Sequence, residues 1–543
     1  MIFNFLKSRK QPDHFKIRQS NVFYNYSMGL NIMDIDLLKA GKAILKLGLA
    51  QSVFFSDKNF IYCDKNGDQH LKFRDRQEDI IDSLSSEDGS ILQDYLIFDD
   101  LVNDESHLHS NQEDYLRVSL SPIVLEDEVY GEYIINVLLK IYSNGIAILS
   151  FQFDAHWNDL DESDFIEDVI NLYSRSWDKV WVDKLVQKID GEVYASKQAF
   201  GDIFVFAGND INIKGREKII KKMQKNGLED LEKALHHSQG KEFSFDDKNR
   251  ILHLLAGTND QKTTKAFELC VHMYFNIVAK IIDSISDASV DAYTFIWEGR
   301  PSVSLMCFSN QSKNRQELEE KFSNSIRKIL NRSSVAMDES IHLKNLRWHG
   351  DYSFYGNRSV LLWVKLNSKS SYDENTLFRS VLSHQARVEQ IEFYNMLFAR
   401  ACAWCADPAT EEHLFNAYDI LINKEKAIHQ SSQSGEIVQT ISYLMDQFGT
   451  NLLIKPAKES AVFHLDELKY RSDLVKSRKM QWMTLTFGLV GATSFAEFIV
   501  YPLVKNWRSE YFRADFLPLL SFFSTLALIG VILGITSLIN KNK

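Results

Sequence analysis

Hydrophobic positions are unevenly spread along this chain. Through the first 374 residues they come in short runs between polar turns. The clearest case is residues 133–142 and 146–153, two strand-like runs joined through Ser143, Asn144 and Gly145, an Asn-Gly pair of the kind tight hairpins favour. Further strand candidates are 203–207, 293–297, 303–308 and 360–366, with the second and third read as a β pair. Helical periodicity lies at 164–188, 262–285 and 315–330, while 83–90 and 99–114, rich in Ser, Asp, Glu and Asn, read as surface excursions. From about Asn375 helix formers take over as far as Lys479. Pro408 and Pro456 there predict breaks between two or three long helices.

The pattern changes once more at the C-terminal end. Residues 480–504 and 516–539 are two almost unbroken apolar runs, each long enough to cross a hydrocarbon core of about 30 Å at about 1.5 Å of helical rise per residue. Trp482, Tyr501, Trp507 and Tyr511 sit near their ends, where amphipathic rings favour the headgroup zone. Lys469, Arg471, Lys476, Arg478 and Lys479 precede the first run and Lys541 and Lys543 follow the second, so the positive-inside rule puts both termini in the cytoplasm. The expected organisation is a mixed α/β cytosolic body in two parts, 1–188 and 189–374, a helical stalk at 375–479 and a two-helix transmembrane hairpin at 480–543.

Charge supports that division. The net charge is −11, and the part from Lys469 onward has 10 basic and 4 acidic residues, which leaves −17 on residues 1–468. Such a body is a poor match for a phosphate backbone, so nucleic acid is not an expected partner. Five scattered cysteines fit a reducing compartment rather than a disulfide framework, and no cleavable hydrophobic leader is visible at the start.

In the first apolar run, Thr486, Val490, Thr493 and Glu497 fall on one helical stripe, with Ser494 beside it, and Thr484, Gly488, Gly491 and Phe495 fall on the opposite stripe. A carboxylate in a spanning segment is costly unless it faces water or a partner, which makes Glu497 a functional candidate; the glycines suit close helix packing. Repeated around an oligomer, Glu497 would form an acidic ring that concentrates cations. A single hairpin encloses no aqueous path, so conduction requires a homo-oligomer.

The order of body, stalk and C-terminal hairpin, together with Leu485-Thr486-Phe487, Gly488, Gly491, Phe495 and Glu497, resembles the CorA superfamily of two-span ion channels. The resemblance at sequence level covers about 60 C-terminal residues. It implies a pentamer in the inner membrane; Glu497, about 18 residues beyond Lys479, lies about 27 Å along the helix, near the outer surface. Ala492-Thr493-Ser494 stands roughly where that family carries its Gly-Met-Asn signature, which puts magnesium selectivity in doubt. CorA-like proteins lacking the signature occur as membrane effectors of prokaryotic antiviral systems, where a nucleotide-derived messenger gates them, and that is the narrower expectation. A housekeeping divalent-cation transporter with an altered filter and a membrane-tethered binding or enzymatic domain are the alternatives.

Within the body, Lys262 and Thr263 follow a strand candidate and Gly257, but the second glycine of a P-loop is missing. Lys214, Arg216, Lys218, Lys221, Lys222 and Lys225 form a basic cluster suited to an anionic messenger or lipid headgroup, against the ordinary reading of a solvated helix face. Asp159, Asp161 and Asp164 offer oxygen ligands for a divalent cation without calcium-loop spacing. Cys402 and Cys405 have redox spacing, yet sit in a helical stretch and read as buried helix residues. No hydrolase elbow or zinc-protease motif is present, and catalysis is not expected.

Overall fold

A computed structural model describes residues 15–63, 69–72, 81–82, 84, 89–108, 113–128, 131–172, 175–195, 225, 236, 238–245, 248–255, 266–285, 293–296, 300–306, 314–335, 343–347, 352–366, 374–432, 434–503, 516, 518–525, 527 and 530. The chain divides into two compact units, Met1–Lys458 and Glu459–Lys543.

The first unit is organised by a sheet of 14 described strands. Its spine is β1 (Lys16–Leu30), β5 (Tyr115–Asp127), β6 (Gly131–Tyr142) and β7 (Ile146–Asp161), all antiparallel in the order β1-β7-β6-β5. The hairpin expected at 133–153 is β6–β7. Its turn depends on Gly145, which takes φ +83°, and a Cβ there would lie 2.0 Å from the Ile32 carbonyl oxygen. Beyond β5 lie β2 (Ser52–Phe55), β3 (Phe60–Cys63) and β4 (Gln69–Lys72), and a side branch of β8 (Lys179–Val182), β10 (Lys248–Leu254) and β9 (Gly240–Phe245).

On the other side of β1 the expected β pair is corrected. β11 (Tyr293–Ile296) and β12 (Arg300–Met306) do not pair with each other; both run antiparallel to β1, end to end along it. β1 has 15 residues, long enough to take both. β14 (Leu361–Lys365) then adds parallel to β12, with β13 (Tyr352–Gly356) outermost. Strands from both sides of residue 188 therefore share one sheet.

Alternation gives this sheet two unlike faces. On one, Val22, Tyr24 and Met28 of β1, Leu116 and Val118 of β5, Val137, Leu139 and Ile141 of β6, and Leu149, Phe151 and Phe153 of β7 join the main hydrophobic core. Helices α1 (Leu37–Leu47), α5 (Ala266–Asp283) and α6 (Arg315–Leu330) contribute to the same core. α5 and α6 match the helices read at 262–285 and 315–330. On the opposite face the same strands present the polar Asn25, Ser27, Arg117, Lys140 and Ser150 beside the apolar or aromatic Phe23, Tyr115, Leu138, Tyr142 and Ile148.

Two further expectations fail for identifiable reasons. Residues 164–188 form no single helix: a short α3 (Glu162–Phe165) passes into a π turn, Ile166–Ile170, followed by β8 and then α4 (Lys184–Ala195). Val180 and Val182 enter the main core while Trp181 enters a smaller one with Phe243, a period of two that overrides helical propensity. Nor is 99–108 a surface excursion, because α2 (Gly89–Leu108) runs through it. Ile91, Tyr95, Phe98 and Val102, spaced i, i+4, i+7 and i+11, are buried, and so is Asp99. The strand read at 203–207 lies outside the described residues.

The stalk region is more divided than the two prolines suggested. It comprises α7 (Glu374–Ala406), α8 (Glu411–Ile422), α9 (Lys424–Gln430), α10 (Gly435–Phe448) and α11 (Thr450–Phe495). Pro408 does fall at a break, and Thr410 caps the next helix by accepting from the His413 amide at 3.1 Å. Pro456 breaks nothing and lies inside α11. The amide it lacks would have met the carbonyl of Leu452, a residue 79% exposed, where water can take its place.

Candidate functional site: an exposed apolar helix and a buried polar seam

In the second unit, α11 continues the chain of helical residues through a π turn, Ala496–Val500, closed by the Tyr501 amide donating to the Ala496 carbonyl. The stretch Thr450–Leu503 is long and apolar enough to cross a membrane, and only 12% of its most apolar window is buried. That exposure separates it from the core helix of a water-soluble domain. Met480, Trp482, Leu485, Phe487, Val490 and Phe498 are all more than half exposed, a disposition that water would penalise strongly.

Glu497 is exposed and sits second in the π turn, a rare geometry found often at functional positions. Thr486, Val490, Thr493 and Ser494 are exposed as well. The Thr486 hydroxyl donates to the Trp482 carbonyl at 2.8 Å and that of Thr493 to the Val490 carbonyl at 3.0 Å, which satisfies each proton within the helix. Gly488 and Gly491 have open space where a Cβ would be. Among the described residues of this stretch, Ala492 and Ala496 are buried within the chain, each 3% exposed. Helical residues 518–525 contain the matching pair, Ser521 at 2% and Thr525 at 1%. Both pairs have the small-x-x-x-small spacing that brings helices close in lipid. That spacing was a legible signal.

The first unit holds a feature with no sequence signature. One face of α7, carrying Gln385, Glu389, Glu392 and Arg400, lies on the polar face of the sheet. Glu389 takes a two-pronged ion pair from Arg117, with Arg117 Nη1 3.0 Å from Oε1, and a third donor in Lys140 at 3.4 Å. All three side chains are 2% exposed. Lys140 Nζ also stands 3.9 Å from the centre of the Tyr115 ring and 4.7 Å from that of Tyr142. Ser27 donates to Glu392 at 3.2 Å. Arg400 donates to the carbonyls of Leu30 at 3.2 Å and Asn144 at 2.7 Å, and burial pulls its pKa down to about 9. Its methylenes lie flat on β1 at Gly29, where a Cβ would come within 3.0–3.1 Å of them. Elsewhere on the same helix, Asn395 accepts from the hydroxyl of Thr450, the first residue of α11.

The remaining candidates fall as follows. Lys214, Arg216, Lys218, Lys221, Lys222, Lys262 and Thr263 lie outside the described residues; Lys225 is an exposed helical residue. Asp161 ends β7, Asp164 is exposed in α3, and the Asp159 side chain lies outside the described residues. Their neighbour Glu162 is buried and holds the Phe15 amide at 3.2 Å and Lys328 at 3.3 Å, a structural role. Among the described residues no group of three or more His, Cys, Asp or Glu is placed to hold a metal. Cys402 and Cys405 are buried in α7, and burial pushes their thiols up to about 12 and about 11, so neither is poised for redox chemistry. His384 is buried and stacked on Trp363 with ring centres 5.0 Å apart, and burial holds its pKa well below the usual value.

No model of a known family, no curated protein and no solved structure matches this chain.

Proposed function

We propose that this protein is an oligomeric ion channel of the inner membrane, cation-conducting and opened by its cytosolic body. The observation that carries the reading is an apolar helix of spanning length, exposed along its membrane stretch, with the carboxylate of Glu497 in a π turn beyond it. An apolar surface of that extent needs lipid or other copies of the chain against it, and a carboxylate at that depth needs water or a cation. Ala492 and Ala496 facing Ser521 and Thr525 would close a hairpin of two spans, with both termini in the cytoplasm as the flanking Lys and Arg require. Several copies would then bring Thr486, Val490, Thr493 and Glu497 around a shared path, with the pentamer implied by CorA resemblance as the expected count. No catalysis is assigned. The narrower version, an antiviral effector opened by a nucleotide-derived messenger, rests on that resemblance and the missing Gly-Met-Asn signature.

Ion flux into liposomes reconstituted with the purified chain tests the proposal, with wild type, Glu497→Ala and Glu497→Lys compared with and without candidate nucleotide messengers. Flux whose cation preference weakens in Glu497→Ala and reverses towards anions in Glu497→Lys is the expected result. Absence of flux under every condition, with oligomeric insertion confirmed, would sink it.

A further inference from the structure

The side-chain nitrogen of Gln385 has more partners than it can use, while its oxygen is buried with none. Its amide nitrogen carries two protons, yet three acceptors stand within reach: Asn25 Oδ1 at 2.8 Å, Ser150 Oγ at 3.0 Å and Glu389 Oε1 at 3.2 Å. Asn25 Oδ1 is in turn claimed by the Ser150 hydroxyl at 2.6 Å, while Asn25 Nδ2 donates to Ser302 at 3.1 Å. Glu389 accepts from both Arg117 and Lys140, and the two protons of Arg400 Nη1 go to two carbonyls, so these groups are matched by their partners. On this face of α7, then, the Gln385 nitrogen has one acceptor to spare while Gln385 Oε1 and Arg400 Nε are buried with no hydrogen-bond partner, so other pairings are open to these groups.

Such a face behaves differently from the apolar one across the sheet. Interlocked apolar side chains have one best fit, and displacing them opens voids. A row of donors and acceptors with spare partners can be displaced along the strand by exchanging one bond for another. The arrangement is also an expensive way to dock a helix, because charges taken out of water regain little net stability. Buried polar groups of this kind are best attested where they specify or switch an arrangement. At Gly29, β1 has no side chain to obstruct the Arg400 methylenes.

We propose that the seam between α7 and the sheet is a shear plane: α7 takes more than one position along β1 by exchanging partners at Gln385, Glu389 and Arg400, and the Thr450–Asn395 bond passes that position to the first turn of α11. Its consequence for opening a pore rests on the channel reading above; the shear itself does not.

Hydrogen–deuterium exchange of the full-length protein in nanodiscs, followed at the amides of residues 450–458, tests this directly. Gln385→Met keeps the side-chain size and removes the exchanging amide; Thr450→Val keeps the shape at the start of α11 and removes its link to Asn395. Gln385→Met is expected to speed exchange at 450–458 about tenfold, whereas in the Thr450→Val background it adds nothing, the non-additivity of coupled residues. Ser150→Ala, which removes one acceptor from the sheet side, gives a smaller shift of the same pattern and serves if Gln385→Met folds poorly. Ile277→Val, a methylene removed from the opposite, apolar face, leaves 450–458 unchanged. Additive effects of Gln385→Met and Thr450→Val, no effect of either seam variant, or an equal response to Ile277→Val would each overturn the proposal. Because exchange is read without ion flux, a non-conducting protein can still show the coupling. A conducting protein without the coupling loses the shear plane alone.

Discussion

Replacing Glu389 with glutamine tests whether the seam is as dry as its geometry indicates. The carboxylate is the shared partner of Arg117 and Lys140, and all three side chains are 2% exposed. Glu389→Gln preserves size but leaves two buried cations without a counter-charge, a loss of about 3–5 kcal/mol for a pair broken on one side. The cations keep some relief from the Tyr115 and Tyr142 rings, on the order of 1 kcal/mol, so a net loss of about 2–4 kcal/mol is expected. Removing all three charges together, as Glu389→Met, Arg117→Met and Lys140→Met, deletes the desolvation cost along with the attraction and should fall within about 1–2 kcal/mol of wild type. The assay is thermal unfolding of the full chain in detergent at one scan rate, read by tryptophan fluorescence, since Trp177, Trp181, Trp363 and Trp404 are fully buried. The expected midpoints run wild type, triple variant close behind, then Glu389→Gln well below. A triple variant as unstable as the single one, or a Glu389→Gln midpoint equal to wild type, would refute the argument.

Asp94 on α2, which accepts from the Ser52 hydroxyl at 2.9 Å, is pushed up to about 6 by desolvation. A carboxyl raised in the folded state contributes stability that is full below its unfolded pKa of about 4 and is lost as pH rises through about 6. Asp94→Asn should therefore stabilise the fold at pH 7.5, by up to about 3 kcal/mol and read as a higher unfolding midpoint, and bring no gain at pH 4; a gain equal at both values would show that ionisation is not the cause. Cys402 and Cys405, with thiols raised by burial, should resist iodoacetamide at pH 8 in the native chain and react once it is denatured. Mass spectrometry showing both alkylated in the native protein as fast as the half-buried Cys63 would contradict their placement in the α7 interior.

Local physics made much of this protein legible in its sequence. The β6–β7 hairpin was readable because Asn144-Gly145 and the flanking alternation act within a few residues, and α6 because its apolar spacing and the Asn314 cap are local too. The apolar stretch of α11 and the exposed Glu497 were equally visible, since spanning length and an out-of-place carboxylate are properties of sequence alone. What the sequence did not reveal depends on contacts between distant residues. Tyr293–Ile296 and Arg300–Met306 look like a hairpin until β1 offers both a longer partner. Trp181 belongs to a strand because Val124 and Leu254 stand on either side of it. Gln385, Glu389, Glu392 and Arg400 carry no signature in the sequence, and form a buried seam only because Asn25, Ser27, Arg117, Lys140 and Ser150 point the same way from β1, β5, β6 and β7. Periodicity says which residues share a face; which face meets water is decided by the strands and helices that fold against it.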